Sequence, residues 1–308
     1  MTRLLVVLEV FSERLLVITD APSPLFYKSA MAALHEVATA IDTGARPGNA
    51  RCQAPNCHAT IKVGAITRDY GAYREMCTPA ITYAAGHGFA IVPVVREVTG
   101  SMTYAEGKTA IQELIAEGAN VFVYCGDGKH QVPLIKAQEE LDWSPLANIL
   151  QWSLEQDVVN GYWQGDQIIK SGTAFFPGDS TADVDFAGVN SATFAAAYGN
   201  RWVGGNTADH HSGAWMAMTL LSAAIERAGS IVTEDVVAEL EQTNIKTIYG
   251  AANFTYDANH QGSYDMVVVQ TIMEPGAVHG SQIRKAIAPP SVAGAAMAFP
   301  QATWNQRR

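Results

Sequence analysis

The chain has 308 residues, of which 48% are hydrophobic and 16% charged, enough to bury the core of one large or two ordinary domains. Its net charge of -10 and isoelectric point near 5.2 argue against nucleic acid or an anionic membrane as the principal partner. Four cysteines are too few for a disulfide scaffold.

The opening segment MTRLLVVLEVFSERLLVITDA has its apolar run broken by Glu9, with Ser12, Glu13 and Arg14 following. It lacks the uninterrupted apolar stretch of an export signal. No apolar run approaches the ~18 residues that span a membrane, so no membrane insertion is expected. In RCQAPNCH, Cys52 and Cys57 could close a small loop as a disulfide or hold a metal with His58. No second metal half-site accompanies them, and the expectation is a plain loop.

From residue 60 the pattern becomes regular. IKVGAIT reads as a buried strand, and RDYGAYREMCTPAITYAAGHG as a helix kinked at Pro79. FAIVPVVREV is the next strand, which Pro93 pushes to a sheet edge or a bulge. TYAEGKTAIQELIAEG places Ile111, Leu114 and Ile115 on one helical face and stops at Gly118. ANVFVYCGDG is a strand ending in a glycine turn, HQVPLIKAQEELDW a helix with Pro133 in its first turn, and PLANILQWSL another strand. Cys77 and Cys125 fall inside these elements and read as buried free thiols.

Such alternation predicts a parallel sheet flanked by helices on both faces. Ligands of such sheets sit beyond the carboxyl ends of the strands. The loops after IKVGAIT, ANVFVYCG and PLANILQ are therefore the candidate site.

Residues 155–205 are rich in Gly, Asp, Asn and aromatics and read as loops around one short helix. HSGAWMAMTLLSAAIERAG is a long helix closed by Gly229, and Thr233 is placed to cap TEDVVAELEQT. IYGAANFTYDANHQGSYDMVVVQ reads as two strands joined by a turn over 258–262. After about residue 275 the Ala- and Pro-rich chain reads as a tail.

Asp209-His210-His211 is the triplet that names a family of phosphoesterases with paired metals. That chemistry needs further aspartates to bridge two cations. The available Asp-x-Asp, Asp183-Val184-Asp185, lies in the loop-rich stretch and not after a strand. The triplet instead reads as a polar helix start capped by Asp209 or Ser212. No nucleophile elbow or phosphate-binding loop occurs, and no cofactor is implied. Trp152, Tyr162, Trp163, Trp202 and Trp215 flank polar loops, where they suit the walls of a small-solute cleft or ordinary packing.

Four segments in order resemble the leucine/isoleucine/valine-binding family of type I periplasmic solute-binding proteins. They are ERLLVITDAPSPLFY, KVGAITRDYGAY, ANVFVYCGDGKHQVPLIKAQEELDW, and WMAMTLLSAAIERAG with the later IYGAANFTYDANHQG. The resemblance covers roughly residues 10 to 275. It implies an α/β fold of two lobes, each a parallel sheet flanked by helices, with the first lobe incomplete and the chain N-terminally truncated. By this resemblance 1–59 is a remnant of the first lobe, 60–189 the second lobe, 190–245 a return to the first, 246–275 a final hairpin and 276–308 a tail. A chain shortened in this way is expected to associate through its first lobe and to bind solute weakly.

The family captures an amino acid in an interlobe cleft. By position, Ser23 and the backbone of Ala21 match its carboxylate-binding loop, and Tyr70 matches the tyrosine of its Tyr-Gly turn. Asp127 and Gly128 fall at the second-lobe turn. Trp152, Ser153 and Glu155 stand where the partner of the ammonium group is expected. The resemblance implies a solute receptor and no enzyme, serving an ABC transporter permease and taking an amino acid or amide-like solute. It also implies a periplasmic or other extracytoplasmic location. The readings from other classes are a metal-dependent phosphoesterase built on Asp209-His210-His211 and a ligand-sensing regulatory module.

Overall fold

The computed structural model describes residues 26–68, 71–98, 102–126, 130–150, 169–172, 185, 187–201, 208–248, 250–253, 267–273, 282–290 and 293–307. In chain order the elements begin with α1 (Phe26–Asp42), α2 (Cys57–Thr60), β1 (Lys62–Arg68), α3 (Gly71–Gly86), β2 (Ala90–Val98) and α4 (Tyr104–Ala116). Then come β3 (Val121–Cys125), α5 (Gln131–Glu140), β4 (Ala147–Leu150), β5 (Ile169–Gly172), α6 (Ser191–Arg201) and α7 (Ala208–Ala228). The last are α8 (Thr233–Glu241), β6 (Asn244–Thr247), β7 (Gly250–Asn253), β8 (Val267–Met273), β9 (Gln282–Ala288) and α9 (Trp304–Arg307).

The chain divides into two units: Met1–Pro22 with Thr173–Met266, and Ser23–Gly172 with Val267–Arg308. The second unit holds a seven-stranded sheet of order β2-β1-β3-β4-β5-β8-β9. Strands β2, β1, β3, β4 and β5 are parallel, and β8 and β9 continue the sheet antiparallel. Every residue of β3 is buried, as are Val63, Gly64, Ala65, Ile66 and Thr67 of β1. Continuous burial, rather than alternation, is what a parallel strand covered on both faces requires. On one face Phe122 and Tyr124 pack with Ile66, Ile111, Leu114 and Leu134 beneath α4 and α5. Cys125, of opposite parity, is bonded to Cys77 of α3 on the other face.

Pro93 acts as its chemistry predicts: β2 is an edge strand, and its register with β1 slips between Val63↔Ile91 and Ala65↔Val95. Gly118, at φ 80°, ends α4. The start of α4 is fixed by a capping box. Glu106 N–H donates to Thr103 Oγ1 at 3.3 Å, and Thr103 N–H donates to Glu106 Oε2 at 2.7 Å. Thr103→Ala is expected to cost about 1 kcal/mol in urea unfolding. A loss below about 0.3 kcal/mol would show that the box does not hold this helix.

Several expectations are corrected. Helix α1 is absent from them, although Tyr27, Met31, Leu34, Ala38 and Ile41 recur at helical spacing and are all buried. It belongs to the same unit as β1–β5, so 26–59 does not stand apart from 60–172. Strands β7 and β8 do not form a hairpin: β7 pairs with β6, whereas β8 lies between β5 and β9. The turn expected at 258–262 lies outside the described residues. Helix α8 is capped at Val232, without a side-chain bond, so Thr233 is its first residue and not its cap. Helix α7 already begins at Ala208, which puts Asp209 and Ser212 inside it.

Residues 276–308 are not a tail. Strand β9 completes the sheet, and Trp304, 1% exposed, donates its indole N–H to the Trp143 carbonyl at 2.8 Å. Gln301 N–H donates to Leu146 O at 2.8 Å, and its side-chain oxygen accepts from Asn148 Nδ2 at 3.0 Å. Arg51 donates to the carbonyls of Gln301 and Ser144, and Arg46 to that of Met297. Ala- and Pro-rich composition hid a segment held by β9 pairing, by the buried side chains of Met297, Phe299 and Trp304, and by several long-range polar bonds.

In the other unit, α6, α7 and α8 accompany the two-stranded sheet β6-β7. Asn190 and Thr193 cap α6 reciprocally, at 3.0 and 2.9 Å. Asp185 Oδ1 accepts from Val189 N–H and Oδ2 from the Trp215 indole, each at 2.8 Å.

Candidate functional site

The carboxyl ends of β1, β3 and β4 lie side by side. Thr67 stands opposite Cys125, and Tyr124 opposite Leu150. Every loop that leaves this edge therefore starts from a neighbouring point, the usual seat of a ligand in such a sheet.

Beneath the edge is a tightly held polar frame. The Tyr27 hydroxyl, on α1, donates to the Tyr124 carbonyl at 2.8 Å. Met102 N–H donates to His130 Nε2 at 3.4 Å, so the neutral ring carries its proton on Nδ1, 3.0 Å from the Tyr124 hydroxyl. His130 is 3% exposed and Tyr124 wholly buried. The Thr67 hydroxyl lies 3.3 Å from Arg68 O and 3.4 Å from Cys125 O, where it donates to one at a time. A Cβ at Gly126 would fall 2.3 Å from the Tyr124 hydroxyl oxygen, so the chain leaves β3 where only glycine fits.

The thiols expected to be free are bonded. Cys77 and Cys125 form a disulfide with their Cα atoms 5.8 Å apart, and Cys52 and Cys57 another at 4.4 Å. Both distances lie in the range a disulfide spans. The first bond ties α3, which follows the β1 loop, to the last residue of β3. No signal in the spacing joins cysteines 48 residues apart; their placement on facing elements of one sheet face does.

Tyr70 follows β1, Asp127 and Gly128 follow β3, and Trp152, Ser153 and Glu155 follow β4. These residues, with Ala21 and Ser23, lie outside the described residues. The structure brings together the strand ends that carry three of the four groups. Thr67, Tyr124 and His130, which frame that edge together with Gly126 of the expected glycine turn, are not among the sequence candidates. Of the aromatic set, Trp215 packs in the other unit, on Asp185 and against Phe194 at 5.7 Å between ring centroids. Asp185, the last residue of the Asp183-Val184-Asp185 motif, thus serves a turn and an indole. Among the described residues no group of three or more metal-ligating side chains is arranged to hold an ion.

A mostly parallel sheet with helices packed on both faces defines an α/β protein of the class in which ligands commonly bind beyond the carboxyl ends of the strands. The chain belongs to the periplasmic binding protein family, whose sequence model matches residues 29–275. Its fold is that of the type I members. It resembles the leucine-, isoleucine-, valine-, threonine- and alanine-binding protein of Brucella ovis at 15% identity and a TM-score of 0.65, over 85% of this chain. The chain spans 60% of that protein's length. A leucine-binding protein of Thermotoga maritima matches at 16% identity and a TM-score of 0.58, covering 85% of this chain and 66% of its own. An ABC-type branched-chain amino acid transporter of Rhodopseudomonas palustris matches at 13% identity and a TM-score of 0.56, covering 79% and 63%. No curated protein matches the chain. No described helix is long and apolar enough to cross a membrane.

Proposed function

We propose that the chain is the solute-binding component of an ABC-type uptake system, taking an amino acid or amide-like solute at the carboxyl edge of the seven-stranded sheet. The observation that carries this reading is the shared edge of β1, β3 and β4, from which the loops bearing Tyr70, Asp127, Gly128, Trp152, Ser153 and Glu155 depart. Ser23 and the backbone of Ala21 supply the carboxylate-binding loop in this reading. Amino-acid binding and transport in the Brucella, Thermotoga and Rhodopseudomonas proteins point the same way. Two disulfides favour an oxidising, extracytoplasmic compartment, which is also where the family works.

A thermal-shift screen of amino acids, amides and polyamines tests the reading, because a ligand that binds only the folded chain raises its melting temperature. With the best hit, Tyr70→Ala and Trp152→Ala are each expected to weaken binding by about 1–2 kcal/mol, roughly five- to thirtyfold, with the fold retained. No hit in the screen, or unchanged affinity in both variants, would remove this site.

A further inference from the structure

Away from the carboxyl edge, at the start of β1 and β2, three imidazoles from separate elements meet. His35 of α1 and His58 of α2 face each other, Nδ1 to Nε2, at 2.9 Å. His87, just beyond α3, has its ring centroid 4.9 Å from that of His35 and stacks on Tyr83 at 3.8 Å. Phe89 closes the group, 4.6 Å from the His58 ring. His58 is fixed from behind as well: Asp42 of α1 accepts from the backbone N–H of Cys57 at 2.6 Å and of His58 at 3.0 Å. The segment these contacts hold is the disulfide-closed turn leading into β1.

We propose that His35, His58 and His87 form an acid-sensitive latch, which holds residues 52–60 on α1 while the rings are neutral and releases them when the rings are protonated. A hydrogen bond between two imidazole nitrogens needs one N–H and one lone pair. The His35–His58 pair therefore tolerates one neutral and one charged ring at most; a further proton sets two N–H donors head to head. His87 Nδ1 lies 2.8 Å from the Tyr83 carbonyl, which can only accept, so that nitrogen already carries its hydrogen. Any further proton makes His87 a cation beside His35.

The surrounding charges do not offset this. From α1, Glu36 favours protonation of His35, but Asp42 is occupied by backbone amides, and Lys28 stands 6.0 Å from the Tyr83 ring. From α2 and the end of α3 come His58 and His87 themselves. Burial, then His58, then His87 hold His35 below its ordinary value of 6.5. The unfolded chain thus binds more protons than the folded one just below that value. The latch is complete above about pH 6.5 and is lost as pH falls through the lowered folded value.

The test uses the full oxidised chain and needs no ligand, so it stands apart from the solute reading. Hydrogen exchange of the 52–60 segment, corrected for intrinsic rates, is compared at pH 7.5 and 5.5. We expect exchange to rise about tenfold at pH 5.5 in the wild type and to stay level in His35→Phe, whose ring suits the aromatic surroundings but does not titrate. The wild type should also lose about 3–5 °C more in melting temperature between the two pH values than the variant does. Level exchange in the wild type, or an equal rise in both proteins, overturns the latch. Should His35→Phe fail to fold, His87→Gln takes its place, and the wild-type exchange alone retains the power to refute.

Discussion

Replacing Cys77 and Cys125 together by alanine is expected to lower the unfolding free energy by about 4 kcal/mol, against about 2 kcal/mol for the Cys52/Cys57 pair. The difference follows from the chain each bond closes: the partners are 48 residues apart in the first and 5 in the second. A longer closed loop removes more freedom from the unfolded chain. Position adds to the effect. Cys77 is 3% exposed and Cys125 fully buried, and their bond fastens α3 to β3 where the candidate loops begin. The Cys52–Cys57 bond is just as buried, but it closes a turn within one short segment at the other end of β1 and ties no second element to the sheet. Urea unfolding of both double variants under oxidising conditions checks this, and wild type with its bonds reduced should fall to or below the Cys77/Cys125 variant. Equal losses from the two pairs would mean that loop closure is not what the longer bond contributes.

This pair also shows how far the sequence carries. Strands β1 to β4 and helices α3 to α5 are legible because each writes its own period: unbroken apolar runs, Ile111 and Leu114 on one face, Pro93 and Gly118 at the breaks. The parallel order and the carboxyl edge follow from that alternation alone. Partnership across distance is not written locally. Whether Cys77 meets Cys125 depends on which helix covers which face of the sheet. The alternation in IYGAANFTYDANHQGSYDMVVVQ marks strands without saying that β7 and β8 join different sheets. Residues 282–307 are held by β9 pairing, Gln301 and Trp304, none of which shows in an Ala- and Pro-rich composition. For the site, the strand ends and the glycine turn that opens with Gly126 are legible, whereas the frame of Thr67, Tyr124 and His130 depends on which elements meet in three dimensions.

Gly126→Ala is expected to destabilise the chain by about 2–3 kcal/mol, because the new methyl meets a side chain that cannot retreat. A Cβ there would lie 2.3 Å from the Tyr124 hydroxyl oxygen, 2.5 Å from Cζ and 3.1 Å from Cε1. An exposed tyrosine would swing aside, but Tyr124 is 0% exposed. It is packed among Ile66, Ile111, Leu134 and Trp304, with His130 on its hydroxyl. Either the ring moves and gives up His130, or the backbone after β3 moves and carries the 127–129 loop with it. A double-mutant cycle separates this clash from a general backbone effect. In a Tyr124→Leu background the shorter side chain leaves room, so Gly126→Ala should cost at least about 1 kcal/mol less than in wild type. If the carboxyl edge also holds the solute, Gly126→Ala should weaken binding at a temperature where the variant remains folded, by about tenfold if the displaced loop loses one contact. Additive costs across the cycle would show that Tyr124 does not dictate glycine at position 126, and the frame beneath the site would lose its tightest constraint.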